Sequence, residues 1–209
     1  MLSPDSGSDE MSAEVITLPG GICRYWPTWL TVDEASQLYK ELQETVAWQQ
    51  DEIQMFGRPL PLPRLQVWYG DAGARYRYSG IQLEPLPWLP LLHALKMRVE
   101  QATGAKFNSV LVNLYRSGQD SNGWHADDEP ELGDDPLVAS LSLGATRRFQ
   151  LRHKTDRSIP VRNLMLEAGS LLFMGAGMQQ YWQHQVPKTQ KSVSPRINLT
   201  FRRVIDLCQ

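Results

Sequence analysis

The sequence predicts an α+β domain that is mainly β, an antiparallel sandwich or jelly roll with helices packed on one side. Two segments with apolar residues at helical spacing lie ahead of Gly104, and at least six short strand-like runs separated by Gly, Pro and Asp follow Phe107. Helices first and strands afterwards, rather than in alternation, give this layered class. At 209 residues and 42% hydrophobic content the chain amounts to one domain with a real core. No internal repeat is visible.

Residues 1–14 are rich in Ser, Asp and Glu, which predicts a disordered acidic tail, with the single folded domain spanning 15–209. Thr31-Val-Asp-Glu34 reads as a capping box, and Ala35, Leu38, Leu42 and Val46 then recur at helical spacing, so a helix should run to about Thr45. Residues 50–64 lose periodicity and carry Gly57, Pro59, Pro61 and Pro63, a loop with Met55 and Phe56 at an exposed tip. Phe56 there either folds back onto the core or acts as a wedge that enters a base stack. Trp68 to Asp71 and Tyr76 to Gly80 mix aromatics, Arg and Gly as short groove-lining strands do, with Tyr76 and Tyr78 on one face. Leu91, Leu92, Leu95, Val99 and Ala102 mark a second helix ended by Gly104. The strand-like runs are 109–115, 137–143, 148–152, 164–166, 171–174 and 195–204.

The longest apolar runs fall far short of the ~20 residues of a membrane span, and the N-terminus lacks the basic start and apolar core of a signal peptide. A soluble intracellular protein is expected, cytoplasmic in a bacterium or nuclear in a eukaryote. Cys23 and Cys208 form no CxxC, which argues against a disulfide scaffold or cysteine zinc site. The net charge of −2 hides an asymmetry, because the tail holds Asp5, Asp9, Glu10 and Glu14 and no basic residue. Setting these four aside leaves 19 acidic against 21 basic residues, a formal +2. The basic residues cluster as Arg58, Arg64, Arg75 and Arg77, then Arg147, Arg148, Arg152, Lys154, Arg157 and Arg162. Such clusters are either a phosphate-tracking surface or ordinary solvated faces.

Residues 113–129, NLYRSGQDSNGWHADDE, place His125 and Asp127 two apart just after an apolar strand. In extended chain, side chains at i and i+2 point the same way, so imidazole and carboxylate can grip one ion. His184 supplies a second imidazole, and two His with one carboxylate leave part of a divalent metal open, as non-haem Fe(II) oxygenases require. His93, on the second helix, and His153, at a strand end, read as ordinary. In the last strand Arg196, Asn198, Thr200 and Arg202 alternate with Ile197, Leu199, Phe201 and Arg203. Two guanidiniums on the inner face of a small barrel are costly unless they meet an anion, and a dicarboxylic acid fits their planar forks. Asn113 and Tyr115 share a strand face and could add neutral hydrogen bonds.

His125-x-Asp127, His184 and Arg196-x-Asn-x-Thr-x-Arg202 together resemble the AlkB family of Fe(II)- and 2-oxoglutarate-dependent dioxygenases, and the nucleic-acid-repair members above all. The resemblance covers roughly residues 50–204, through Asn-Leu-Tyr-Arg, Trp-His-Ala-Asp-Asp-Glu, Ala-Ser-Leu-Ser-Leu-Gly-Ala-Thr-Arg and Pro-Arg-Ile-Asn-Leu-Thr-Phe-Arg. It implies a double-stranded β-helix, with helices and a nucleotide-recognition lid in 15–106 and the jelly-roll core in 107–209. It further implies iron held by His125, Asp127 and His184, and 2-oxoglutarate surrounded by Asn113, Tyr115, Arg196, Asn198 and Arg202, with Arg202 also among the catalytic residues. Arg196 would meet the distal carboxylate. The family's base pocket would fall on Tyr76, Tyr78, Ser79 and Glu129, and its intercalating finger on Met55, Phe56 and Gly57. The reaction implied is oxidative demethylation of bases such as 1-methyladenine and 3-methylcytosine in DNA by a monomer, consuming 2-oxoglutarate and O₂ and releasing formaldehyde, succinate and CO₂. Duplex is favoured, with single strands as the variant. The rival readings are a same-class oxygenase acting on RNA, protein or lipid, and a cupin-like metal-binding module without catalysis.

Overall fold

A computed structural model describes residues 12–55, 58–78 and 81–205, with 53–55, 76–78 and 81–83 described by backbone alone. In chain order the elements are β1 (Glu14–Leu18), β2 (Gly21–Trp26), α1 (Val32–Thr45), β3 (Glu52–Met55), β4 (Arg58–Pro61), β5 (Leu65–Gly70), β6 (Tyr76–Tyr78), β7 (Ile81–Leu83), α2 (Pro90–Thr103) and β8 (Ser109–Tyr115). They continue with β9 (Asn122–His125), a 3₁₀ turn (Pro130–Leu132), β10 (Val138–Gly144), β11 (Arg147–His153), β12 (Arg162–Leu166), β13 (Leu171–Met174), α3 (Met178–Tyr181), β14 (Trp182–Val186) and β15 (Arg196–Arg202).

Seven strands form a major sheet in the order β1-β2-β13-β10-β15-β8-β5, and four form a minor sheet, β12-β11-β14-β9. The pairings within both are antiparallel. Two antiparallel sheets with α1 and α2 against one of them make the expected jelly roll. Strand alternation decides what each face of the major sheet meets. On β8, β10, β13 and β15, Val110, Val112, Leu141, Leu143, Leu171, Phe173, Ile197, Leu199 and Phe201 join the cluster that packs with Leu38 and Leu42 of α1 and Leu92, Leu95 and Val99 of α2. The alternate residues Tyr115, Val138, Leu172 and Met174 join Phe149, Leu151, Trp182 and Val186 of the minor sheet. The interior therefore has an apolar layer under the helices and a second, partly polar layer between the sheets.

The helices begin and end for the reasons legible in sequence. Thr31 Oγ1 accepts from the Glu34 N–H at 3.2 Å, while the Glu34 carboxylate pairs with Arg98 of α2 instead of closing the capping box. Gly104 ends α2 at φ 75°, the left-handed conformation that glycine enters without a Cβ penalty. Strand β1 already includes Glu14, which the sequence assigns to the tail. The Pro-rich stretch expected as a loop instead forms the β3–β4 ribbon, with Gln54 opposite Pro59 and Glu52 opposite Pro61. A two-stranded ribbon has open edges, where a missing proline N–H costs no ladder bond. Among the described residues no helix is long and apolar enough to cross a membrane.

Candidate active site

β8 and β15 pair so that Arg196 stands opposite Tyr115 and Asn198 opposite Asn113, and β10 on the other side sets Ser142 opposite Asn198. The polar face of this strand triplet looks into the space between the sheets. From the minor sheet, β14 and β9 present His184 directly opposite His125. The pocket between them is lined by Asn113, Tyr115, Arg196, Asn198 and Arg202 from one sheet and His125, Asn122 and His184 from the other, with Leu111, Phe149 and Met174 filling the gaps.

His125, Asp127 and His184 each offer a ligand atom, all within 4.8 Å of one another, and could hold one divalent ion. The imidazole rings lie 4.2 Å apart between centroids, and Phe149 stacks on His184 at 5.4 Å. Burial pushes both rings below their usual range, His184 to about 3, helped there by the adjacent His125, so both are neutral and keep a lone pair for a metal. Burial would raise the Asp127 carboxyl, but the Arg202 guanidinium outweighs it by charge and hydrogen bond, and the carboxyl comes down to about 2. Asp127 is wholly buried, its Oδ1 accepts from Arg202 Nη2 at 2.7 Å, and its Oδ2 has no hydrogen-bond partner. An ionised carboxylate oxygen left bare beside two neutral imidazoles is the donor set an Fe(II) ion fits.

Arg196 is 1% exposed. Its Nη2 donates to Ser142 Oγ at 2.9 Å, its guanidinium carbon lies 5.3 Å from the Tyr115 ring centre, and Nε and Nη1 have no hydrogen-bond partner. Burial pushes this group down to about 10, with Tyr115 pulling the other way and Arg147 adding to the depression. A cation held this dry still has donors to give an anion. Asn198 is held in place by its neighbours. It lines the pocket, yet its amide nitrogen goes to Ser140 Oγ at 2.7 Å and the Leu141 carbonyl at 3.1 Å, and its oxygen accepts from Thr200. It braces the strand triplet.

Of the remaining expected residues, Glu129 sits at the start of the 3₁₀ turn, two positions after Asp127. Phe56, Gly57 and Ser79 lie outside the described residues. Met55, Tyr76 and Tyr78 have their backbone placed in β3 and β6.

Two arginines assigned by sequence to surface clusters are interior. Arg64, 1% exposed, donates from Nε to Asn113 Oδ1 at 2.9 Å and so orients a pocket residue. Arg147 donates to the carbonyls of Ser117, Asp120 and Pro187, tying together two loops beside the pocket. Its place was legible in the alternation of β11, where it shares a face with Phe149 and Leu151. Arg58, Arg75, Arg148, Arg157 and Arg162 remain exposed. Gln179 had no sequence signal. It is 1% exposed, and its Oε1 accepts from the Asp127 N–H at 2.9 Å, fixing the backbone of the carboxylate ligand.

Comparison with known proteins agrees with this chemistry. Residues 22–202 match the 2OG-Fe(II) oxygenase superfamily. Human alpha-ketoglutarate-dependent dioxygenase alkB homolog 3 is 43% identical over 201 residues, covering 91% of this chain and 70% of that protein. Mouse DNA oxidative demethylase ALKBH2 is 41% identical over 181 residues, covering 82% of this chain and 76% of that protein. The solved structure of OsALKBH1 superposes with a TM-score of 0.62 over 90% of this chain and 100% of its own, at 22% identity, a likeness of fold. The His125–Asp127–His184 triad and the buried Arg196 guanidinium thus agree with the sequence kinship, and the chain belongs to the AlkB family of 2OG-Fe(II) oxygenases.

Proposed function

We propose that this protein is an oxidative demethylase of N-alkylated bases in DNA, 1-methyladenine and 3-methylcytosine in the first place, using Fe(II), 2-oxoglutarate and O₂. One observation carries the reading: His125 and His184 line the same pocket as Arg196, and the Asp127 carboxylate lies within 4.8 Å of their ligand atoms. The name of the related mouse protein, DNA oxidative demethylase ALKBH2, supplies the substrate class.

In this reading His125, Asp127 and His184 hold iron. When bound, iron and 2-oxoglutarate supply the O₂ chemistry that hydroxylates the methyl group, after which formaldehyde leaves. The protein's own contribution is placement. Arg196 takes the distal carboxylate of 2-oxoglutarate, with Tyr115 and Asn113 beside it and Arg64 turning Asn113 into place. Arg202 keeps Asp127 ionised and fixed by a buried hydrogen bond. Neutral imidazoles leave no proton competing for the metal at neutral pH.

The substrate side rests on resemblance. Tyr76, Tyr78, Ser79 and Glu129 receive a flipped base, and Met55, Phe56 and Gly57 form a finger that fills the gap left in a duplex. A methylated Watson-Crick face makes the base cationic and unable to pair, so extruding it costs less, and tyrosine faces and a carboxylate attract it once inside. We propose one catalytic domain that already includes Glu14 in β1, behind an acidic tail, acting as a monomer with a preference for duplex. The test is formaldehyde release from methylated duplex DNA, single-stranded DNA and RNA. DNA turnover is expected, with Phe56→Ala reducing the duplex reaction more than the single-strand one. Equal losses on both would sink the finger, and turnover on RNA alone would move the protein to the RNA reading.

A further inference from the structure

The bulge in β9 gives a residue outside the predicted site a place beside the metal ligands. His125 stands opposite His184, whereas Val186, two residues on in β14, stands opposite Asn122, three residues back in β9. One extra residue is therefore inserted between Asn122 and His125. In an unbroken strand residues three apart face opposite sides, and an extra residue at a bulge restores them to one side. Both side chains accordingly line the pocket. The two residues inside the bulge serve it from outside. The Gly123 carbonyl lies 2.8 Å from His125 Nδ1, and the Trp124 ring packs under Arg152 at 4.3 Å.

The hydrogen bonds around His125 are consistent with one tautomer. With Nδ1–H donating to Gly123, the Nε2 lone pair is the acceptor, and the nitrogen of the Asn122 amide lies 3.3 Å from it. That lone pair is the one a metal needs. When a metal takes it, the Asn122 N–H groups lose this acceptor while staying beside the ion, next to the positions the triad leaves open.

On the reading of the site as an Fe(II)/2-oxoglutarate centre, we propose that Asn122 is a further co-substrate-binding residue. Its amide covers His125 Nε2 in the metal-free protein and, once metal is bound, donates a hydrogen bond to the metal-proximal end of 2-oxoglutarate, the carboxylate beside the ketone. Arg196 and Asn122 then hold the two ends of one dicarboxylate from opposite sheets. The amide also opposes metal loading slightly, because the ion must displace it. The two roles separate in a binding experiment.

The experiment is anaerobic titration of the full chain, first with Mn(II) or Fe(II) alone and then with 2-oxoglutarate, alongside the visible charge-transfer absorption of the Fe(II)–2-oxoglutarate complex. Asn122→Leu is expected to bind metal at least as well as the unmodified protein, to bind 2-oxoglutarate about tenfold more weakly, the scale of one hydrogen bond to a charged group, and to shift the charge-transfer band. Asn122→Asp replaces donors by a charge. It should bind metal more tightly and 2-oxoglutarate more weakly still, and it keeps the side-chain shape should the leucine variant fold poorly. Metal and 2-oxoglutarate affinities within twofold of the unmodified protein in both variants, with an unmoved band, overturn the proposal. Failure of the unmodified protein to bind metal or 2-oxoglutarate overturns the functional reading instead, and His125→Ala supplies the blank for that comparison.

Discussion

Replacing Arg196 with lysine tests the co-substrate assignment directly. The guanidinium is buried, spends one nitrogen on Ser142 and keeps Nε and Nη1 without a partner. Its depression to about 10, from above 12 in water, puts the cost of holding it charged and dry on the order of 3 kcal/mol, which an arriving carboxylate relieves. Lysine keeps the charge but offers a point donor in place of a planar fork, so at least one charge-assisted hydrogen bond is lost, about 1.5 to 3 kcal/mol. At 1.4 kcal/mol per tenfold, the Kd for 2-oxoglutarate should rise roughly 10- to 140-fold. Calorimetric titration of the anaerobic, metal-loaded protein measures it. Arg196→Met adds a second arm: it should abolish 2-oxoglutarate binding without lowering the Tm of the ligand-free protein, since an unpaired buried charge is removed. A change below about threefold for lysine, or a methionine variant that still binds, would show that Arg196 is not the carboxylate partner.

Three other outcomes follow from the geometry. Arg202→Met strips Asp127 of its 2.7 Å partner and leaves a buried charge, so unfolding free energy should fall by about 3 to 5 kcal/mol in urea titrations, and a loss under 1 kcal/mol contradicts the pairing. Gln179→Leu removes the acceptor of the buried Asp127 N–H, and Mn(II) affinity should drop roughly 10- to 100-fold as for other supports of metal ligands; unchanged affinity would reduce Gln179 to packing. In the metal-free protein His184 titrates near 3, below its unfolded value of about 6.5, so the unfolded chain takes up the proton first. Stability is therefore lost as pH falls from about 6.5 toward 3, and Asp127, also depressed, extends the loss below that. His184→Gln should flatten this loss, read from urea midpoints between pH 7 and 4; an unchanged slope would refute the assignment.

The sequence by itself determined the elements whose signal is local. Both helices, the left-handed Gly104 cap and strands such as 109–115 and 171–174 follow from periodicity and turn chemistry. So does the division of β15 into a polar and an apolar face, because a side chain's direction in a strand is fixed by its neighbours in sequence. The His125–Asp127 pair was legible from its spacing, although β9 ends at His125 and Asp127 lies in the bend that follows. Strand β14 was legible too, in the alternation of Trp182, His184 and Val186, and was missed because it is short and follows a helical turn. What only tertiary structure decided depends on which strands become neighbours. Arg64 and Arg147 look like surface charge until the sheets close over them and Asn113 or loop carbonyls meet their donors. Gln179 matters because it lies 52 residues from Asp127 in sequence and within one hydrogen bond of its backbone. Asn122 faces the pocket because the β9–β14 register slips by one residue, and a register belongs to a pair of strands, which no single stretch of sequence can fix.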